Sequence, residues 1–293
     1  MKPGFRQMLA KRQSAIGSLV CVGFDPVINR IPNCLTERTL LSAVEEWMTR
    51  IAMAVAPYSS MIKPNLAHWE AIPGGIEVLR KIIASVRREF PGMPFFIDAK
   101  RGDIGRTQRH YAEACFNYIG GDGMNFSPYM GRDCMEALID QKNRGKALVG
   151  LCYTSNPAAR QVQNALMHDG RPSWEHYAGW ILQWAEDFDV VENAGLVMAA
   201  AHEEPKGSGF IYFEHLTRCR EIVGDKLWFL IPGVGTQGGF VAPTVRTAFC
   251  GWGSIAINSS SEIIFASDGV DYAEAAAQKA KELRDQINDA IPR

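Results

Sequence analysis

The sequence predicts an α/β fold, a single (β/α)8 TIM barrel covering residues 1–293, with an N-terminal segment, residues 1–17, preceding the first strand. Eight short apolar runs rich in β-forming residues alternate with longer amphipathic stretches, and each run ends in Gly, Pro, Asn, Asp or Ser. No linker-like or low-complexity segment divides the chain. A length of 293 residues is generous for one ordinary domain but suits an eight-fold barrel, which needs about 250 residues.

The expected strands are Ser18–Phe24, Ser60–Pro64, Pro94–Ala99, Gly123–Phe126, Ala147–Tyr153, Ala194–Ala199, Leu227–Ile231 and Ser254–Asn258. Runs such as Phe95-Phe96-Ile97 are apolar on both faces, as a parallel sheet covered by helices requires. Closure into a barrel is favoured over an open sheet because it removes both edges. The clearest helical patterns are Leu40–Val55, Ile76–Phe90, Arg106–Ile119, Asp133–Lys142, Trp174–Phe188 and Tyr272–Ile291. Trp174, Trp180 and Trp184 recur near helical spacing and are expected to pack against the barrel. The longest irregular stretch, Ser155 to Pro172, follows strand five and is expected to overhang the active-site face.

Composition narrows the function classes. The 31 basic and 32 acidic side chains nearly cancel, so no global field draws the chain to nucleic acid or to an anionic membrane. Seven cysteines lie far apart with no C-x-x-C pair, which argues against a zinc site or a disulfide framework and fits free thiols in a reducing compartment. No metal is expected. The basic segment Lys2 to Arg12 is expected to be solvated, it lacks the apolar core of a signal peptide, and no later run reaches about 18 apolar residues. A cytoplasmic protein is expected.

The densest chemical signal is Phe96-Ile97-Asp98-Ala99-Lys100-Arg101-Gly102-Asp103-Ile104. Residues two apart on a regular strand share a face, so Asp98 and Lys100 are expected to point into the barrel near its C-terminal mouth. A core strand rarely spends two inward positions on charges unless they are paired. An isolated pair of this kind can simply be a salt bridge closing the barrel top. Lys63 and Asp25, which end strands two and one, bring further charge to the same rim, where barrel enzymes place their active sites.

These residues carry a resemblance to the orotidine 5'-phosphate decarboxylases. Asp98-Ala99-Lys100-Arg101-Gly102-Asp103-Ile104 resembles the family signature D-x-K-x-x-D-I. Phe24-Asp25-Pro26, Lys63-Pro64-Asn65, Thr154-Ser155-Asn156-Pro157, the run from Pro232 to Gly239, and Asn258-Ser259-Ser260 resemble further family segments in the family order. The likeness spans about residues 20 to 270 and is closest to the longer bacterial branch. It implies a cofactor-free enzyme that converts orotidine 5'-phosphate to uridine 5'-phosphate and CO2 in pyrimidine biosynthesis. Lys100 is the implied proton donor to C6, Asp98 sits beside the departing carboxylate, and Lys63 bridges Asp98 and a ribose hydroxyl. Asp25 and Asn65 are implied on the ribose side, and Ser155 on the pyrimidine edge. Asp103, Ile104 and Thr107 are implied to reach the site across a homodimer interface.

Pro232, Gly235 and Gln237 belong to a glycine-rich loop after strand seven, where many barrels bind phosphate. The resemblance places Gln237, Ser259 and Ser260 at that end of the substrate. One departure stands out: the family carries an arginine after the two small residues, and here Ser261 follows Ser260. A bidentate phosphate clamp is therefore missing, with Arg246 and Arg160 as candidate replacements. His68 and His110 are expected to be surface or supporting residues. Two other readings stay open. One is a Mg2+-dependent sugar-phosphate enzyme of the wider barrel group, and the other is a binding protein that has lost catalysis.

Overall fold

The computed structural model describes residues 3–234 and 239–292. Eight parallel strands form the barrel: β1 Val20–Phe24, β2 Met61–Pro64, β3 Phe96–Arg101, β4 Gly123–Phe126, β5 Ala147–Tyr153, β6 Ala194–Met198, β7 Trp228–Ile231 and β8 Ile255–Ser259. Every expected strand is present, its ends displaced by at most two residues. Hydrogen-bonded pairing runs β2-β1-β8-β7-β6-β5-β4-β3. Parallel bridges from Ile62 to Phe95 and from Asn65 to Asp98 span the remaining seam between β2 and β3.

Strand periodicity divides the core in two. Cys21, Met61, Phe96, Val149, Val197, Trp228, Leu230 and Ala256 form one buried cluster, while their strand neighbours, including Val20, Val22, Ile62, Ile97 and Leu148, join the layer beneath the helices. Successive strand side chains face opposite ways, so both faces must be apolar. The helix Leu40–Val55 shows the complementary pattern, burying Ala43, Val44, Trp47, Met48, Ile51, Ala52 and Val55 at the i, i+3, i+4 spacing of one helical face.

The N-terminal segment corrects the expectation of a solvated basic stretch. Residues Phe5–Ile16 form a helix that ends at Gly17 in the left-handed conformation. Phe5 and Leu9 are buried in the same cluster as the barrel-lining side chains. The Phe5 ring stacks on Trp228 at 5.2 Å and meets Phe96 edge-on at 6.3 Å. Two of the basic residues are held as well: Arg6 donates to the carbonyls of Asp225, Lys226 and Gly253, and Arg12 to those of Ala56 and Ser59. Gln13, fully buried, donates to the Ile255 carbonyl and accepts from the Gly253 amide. Burying one phenylalanine stabilises by roughly 1.5–3 kcal/mol, and of the segment's described basic residues Lys11 alone is exposed.

Other expectations change in detail. The Arg106–Ile119 pattern is an α-helix over Gly105–Ala112 that continues as a π-helix over Glu113–Tyr118. The Asp133–Lys142 pattern stops as a helix at Arg132–Glu136, where the amides of Leu138 and Ile139 bond three residues back and tighten the chain into turns. Trp174 is buried against Tyr153, but Trp180 is 40% exposed and packs on His176 and Tyr177 instead of the barrel. Helices Glu214–Val223 and Val241–Ala248 continue the outer helix layer, and His202–Glu203 pairs with Ile211–Tyr212 in a short hairpin. Among the described residues no helix is long and apolar enough to cross a membrane.

Candidate active site

A cavity of about 630 Å3 opens at the C-terminal ends of the strands, within the size range of small-molecule sites. Lys63, the third residue of β2, and Asp98, the third residue of β3, meet on its wall: Lys63 Nζ lies 2.8 Å from Asp98 Oδ2. Lys100 Nζ lies 2.5 Å from Asp98 Oδ1. The Lys63 and Asp98 side chains are only 5% and 9% exposed, whereas that of Lys100 is 52% exposed. Lys100 therefore presents its ammonium to the cavity, and the buried pair stands behind it.

Burial alone raises a carboxyl pKa, but the charges of Lys63 and Lys100 overcome it and hold Asp98 well below the ordinary carboxylate range. Burial likewise opposes the charge on Lys63, and Asp98 and then Asp25 reverse that effect and lift its pKa above the usual lysine value. Asp25 accepts from the Asn65 amide at 3.2 Å, and the Asn65 side chain caps the short helix Leu66–Glu70 by accepting from Ala67 N. Trp69 anchors that helix by donating to the Phe24 carbonyl. Asp25, Asn65, Lys63, Asp98 and Lys100 thus share one cavity wall.

The strand carrying Asp98 and Lys100 is not regular, which amends the expectation that two-residue spacing alone aims both charges. Ile97 pairs with Met124 and Arg101 with Phe126, so three residues of β3 lie opposite the single residue Asn125 of β4. Lys100 takes a left-handed backbone, φ 48°, a conformation costly for a side chain without local compensation. Asn125, whose side chain is buried, fills the gap. Its Oδ1 accepts from Ala99 N at 2.8 Å and Lys100 N at 2.7 Å, while Nδ2 donates to Asp98 Oδ1 at 2.6 Å.

Of the remaining expected residues, Ser155, Pro232 and Ser260 line the cavity. Ser260 lies directly over β1, and only a glycine at position 23 admits it, since a Cβ there would fall 1.8 Å from Ser260 Oγ. Ser259 is buried and faces a separate cleft with Val234, Gly239 and Glu262. Gly235 and Gln237 lie outside the described residues. Of the residues flanking them, Gly239 N donates to Gly233 O, and a Cβ on Gly239 would collide with that carbonyl. Asp103, Ile104 and Thr107 do not line this cavity within one subunit. The Asp103 amide donates to buried Gln108, Ile104 is 44% exposed and Thr107 is exposed.

The long loop after β5 does overhang the cavity, through Asn156, Val162 and Gln163. Gln163 braces the loop base by accepting from Thr154 N and donating to Thr154 Oγ1. Arg160 stands in an adjoining cleft of about 540 Å3 that shares Ser155 and Asn156 with the main cavity and reaches Gly233. There it pairs with Glu204 and contacts His202 Nε2 at 3.0 Å. Arg246 is exposed on the helix Val241–Ala248 and lines neither space. His68 contacts the Pro26 carbonyl and His110 is exposed. Among the described residues no three His, Cys, Asp or Glu side chains are grouped to hold a metal ion.

Several cavity residues carried no expected role, among them the buried amides Asn125 and Asn258. The available signal was a lone amide within an apolar run, Gly-Met-Asn-Phe in β4 and Ile-Ala-Ile-Asn in β8.

The whole barrel has relatives. The chain matches the Orotidine 5'-phosphate decarboxylase / HUMPS family over residues 18–276. It is 35% identical over 285 residues to the orotidine 5'-phosphate decarboxylase of Bordetella petrii, covering 97% of this chain and 98% of that protein. It is 37% identical over 286 residues to that of Ralstonia pickettii, with coverage of 97% and 98%. The solved structure of Leishmania donovani OMP decarboxylase superposes with a TM-score of 0.73 at 27% identity, covering 96% of this chain and 98% of that one. With the lysine and aspartate array in place on the matched strands, the chain belongs to the orotidine 5'-phosphate decarboxylase / HUMPS family.

Proposed function

We propose that the chain decarboxylates orotidine 5'-phosphate to uridine 5'-phosphate, in the cytoplasm and as a homodimer, by fixed electrostatics at C6. The observation that carries this reading is the Lys63–Asp98–Lys100 array, with one lysine buried and the other open to the cavity. In the reaction the C6–carboxylate bond breaks, CO2 leaves without the bonding electrons, and the pair stays on C6 in the ring plane, where the π system does not delocalise it. A proton from Lys100 Nζ then forms the C6–H bond, and solvent reprotonates the amine. Attraction between the ammonium and C6 grows along this path, so it favours the transition state over the bound substrate.

Asp98 contributes from the other side. Unit charges about 4 Å apart repel by roughly 4 kcal/mol at an effective dielectric near 20, and that repulsion with the substrate carboxylate vanishes as neutral CO2 departs. Lys63 is assigned to the ribose, with Asp25 and Asn65, and Ser155 to the pyrimidine edge. Asp103 of the partner subunit, with Ile104 and Thr107 of the partner subunit, completes the charge set. The exposure of Ile104 and Thr107, which leaves them open to a second subunit, supports this assignment. At the phosphate end, Pro232, Gly235, Gln237, Ser259 and Ser260 are assigned with Arg160 as the nearby cation. That Arg160 and Gly233 line one cleft supports the last.

The test is loss of the orotidine 5'-phosphate ultraviolet absorbance in the presence of a chelator. Turnover unaffected by the chelator is expected. Turnover that disappears with chelator and returns with Mg2+ favours the metal-dependent sugar-phosphate reading, and tight nucleotide binding without turnover favours a binding protein.

A further inference from the structure

The bulge in β3 is held by one side chain from another strand. Three residues of β3 span the space opposite Asn125, so the regular ladder cannot supply acceptors for the amides of Ala99 and Lys100. Both amides converge on Asn125 Oδ1, at 2.8 and 2.7 Å. The same side chain spends an N–H on Asp98 Oδ1, the oxygen that also receives Lys100 Nζ. Asn125 is 1% exposed, and water does not readily replace it. A single amide therefore fixes the backbone from which Lys100 projects, compensates its left-handed conformation, and sets the rotation of the carboxylate that Lys100 and Lys63 share.

We propose that Asn125 is a positioning residue for decarboxylation, aligning Lys100 and Asp98 without touching the reacting atoms. This inference rests on the electrostatic reading of the site above. Removing the amide leaves the charges present but free to relax toward each other, so turnover suffers while the nucleotide still binds. A misplacement of about 1 Å at a preorganised centre costs on the order of 100-fold in rate.

Asn125→Val and Asn125→Thr form a matched pair of nearly equal shape. The threonine hydroxyl offers an acceptor oxygen toward the β3 amides and one donor hydrogen toward Asp98, and valine offers neither. In the full-length protein, Asn125→Val is expected to lower kcat about 100-fold, with KM and the affinity for uridine 5'-phosphate changing by less than about threefold. Asn125→Thr is expected to recover at least about tenfold of that loss in kcat. Wild-type turnover for Asn125→Val, or equal kcat for the two variants, overturns the positioning role. So does a loss confined to KM. Should Asn125→Val not fold, Asn125→Ser serves as the hydroxyl-bearing variant against Asn125→Ala, with the same split deciding. If wild-type protein itself does not decarboxylate orotidine 5'-phosphate, the functional reading fails, an outcome distinct from failure of this inference.

Discussion

The two ends of the substrate cavity are built on different principles. At the reacting end every charge sits on or beside a strand and is cross-braced: Lys63 and Lys100 on Asp98, Asp98 on Asn125, Asp25 on the Asn65 amide. At the opposite end Ser259 closes β8, but Ser260 and Arg160 lie beyond the strand ends. The place where the family carries an arginine is Ser261, at the start of a four-residue helix. A cation of the adjoining cleft, Arg160, is held on the β5 loop by Glu204 and His202. Strands impose geometry to a fraction of an ångström, which carbanion stabilisation needs. Phosphate binding is tolerant, because charge and backbone N–H groups act over a broader range of positions.

The contrast breaks most visibly if the reacting end is not shared between subunits. Asp98→Ala and Asp103→Ala homodimers are each expected to be inactive, and their equal mixture to recover about a quarter of wild-type sites, since half the dimers carry one intact site. No recovery after verified subunit exchange contradicts a contribution from Asp103 of the partner subunit.

Acid should separate the two ends. His215 is fully buried between Tyr153 and Tyr212, at ring distances of 4.7 and 5.1 Å, with His202 beside it and Arg160 nearby. Burial, with smaller effects from His202 and Arg160, lowers its pKa to about 4 from an ordinary 6.5. The unfolded chain therefore takes up a proton near pH 6.5 that the folded chain refuses until about pH 4. Stability from this group is complete above pH 6.5 and is lost as pH falls toward 4, by up to about 3 kcal/mol. Asp98, whose carboxyl is held below the ordinary range, loses its contribution only at lower pH. Urea melts between pH 7 and 4 should show this slope in wild type and a flatter one in His215→Gln. Equal slopes remove His215 from the account.

A smaller effect probes the loop-built end alone. Arg160→Ala is expected to raise KM for orotidine 5'-phosphate about tenfold, and Ser261→Arg to lower it by a similar factor. An unchanged KM in Arg160→Ala assigns the phosphate to other groups.

Legibility in the sequence follows the same division. Strand order, barrel closure and the Asp98 and Lys100 pair were readable because charged residues in an apolar β-run have few structural explanations. The bulge was not, because the group that makes it, Asn125, lies about 25 residues downstream on a different strand. The N-terminal plug was misread for a related reason. Phe5 and Leu9 are spaced for one helix face, but the alternating basic residues mask that pattern, and their carbonyl partners lie as far away as Gly253. The arginine missing at Ser261 was legible as an absence, whereas the placing of Arg160 and Gly233 on one cleft required the fold.

The most direct test of the central claim compares Lys100→Ala with wild type in the ultraviolet decarboxylation assay, alongside calorimetric binding of uridine 5'-phosphate. Fixed charge at C6 predicts a fall in turnover of at least about 1,000-fold, with product affinity preserved within about tenfold. Turnover near the wild-type value, with the lysine gone, contradicts it.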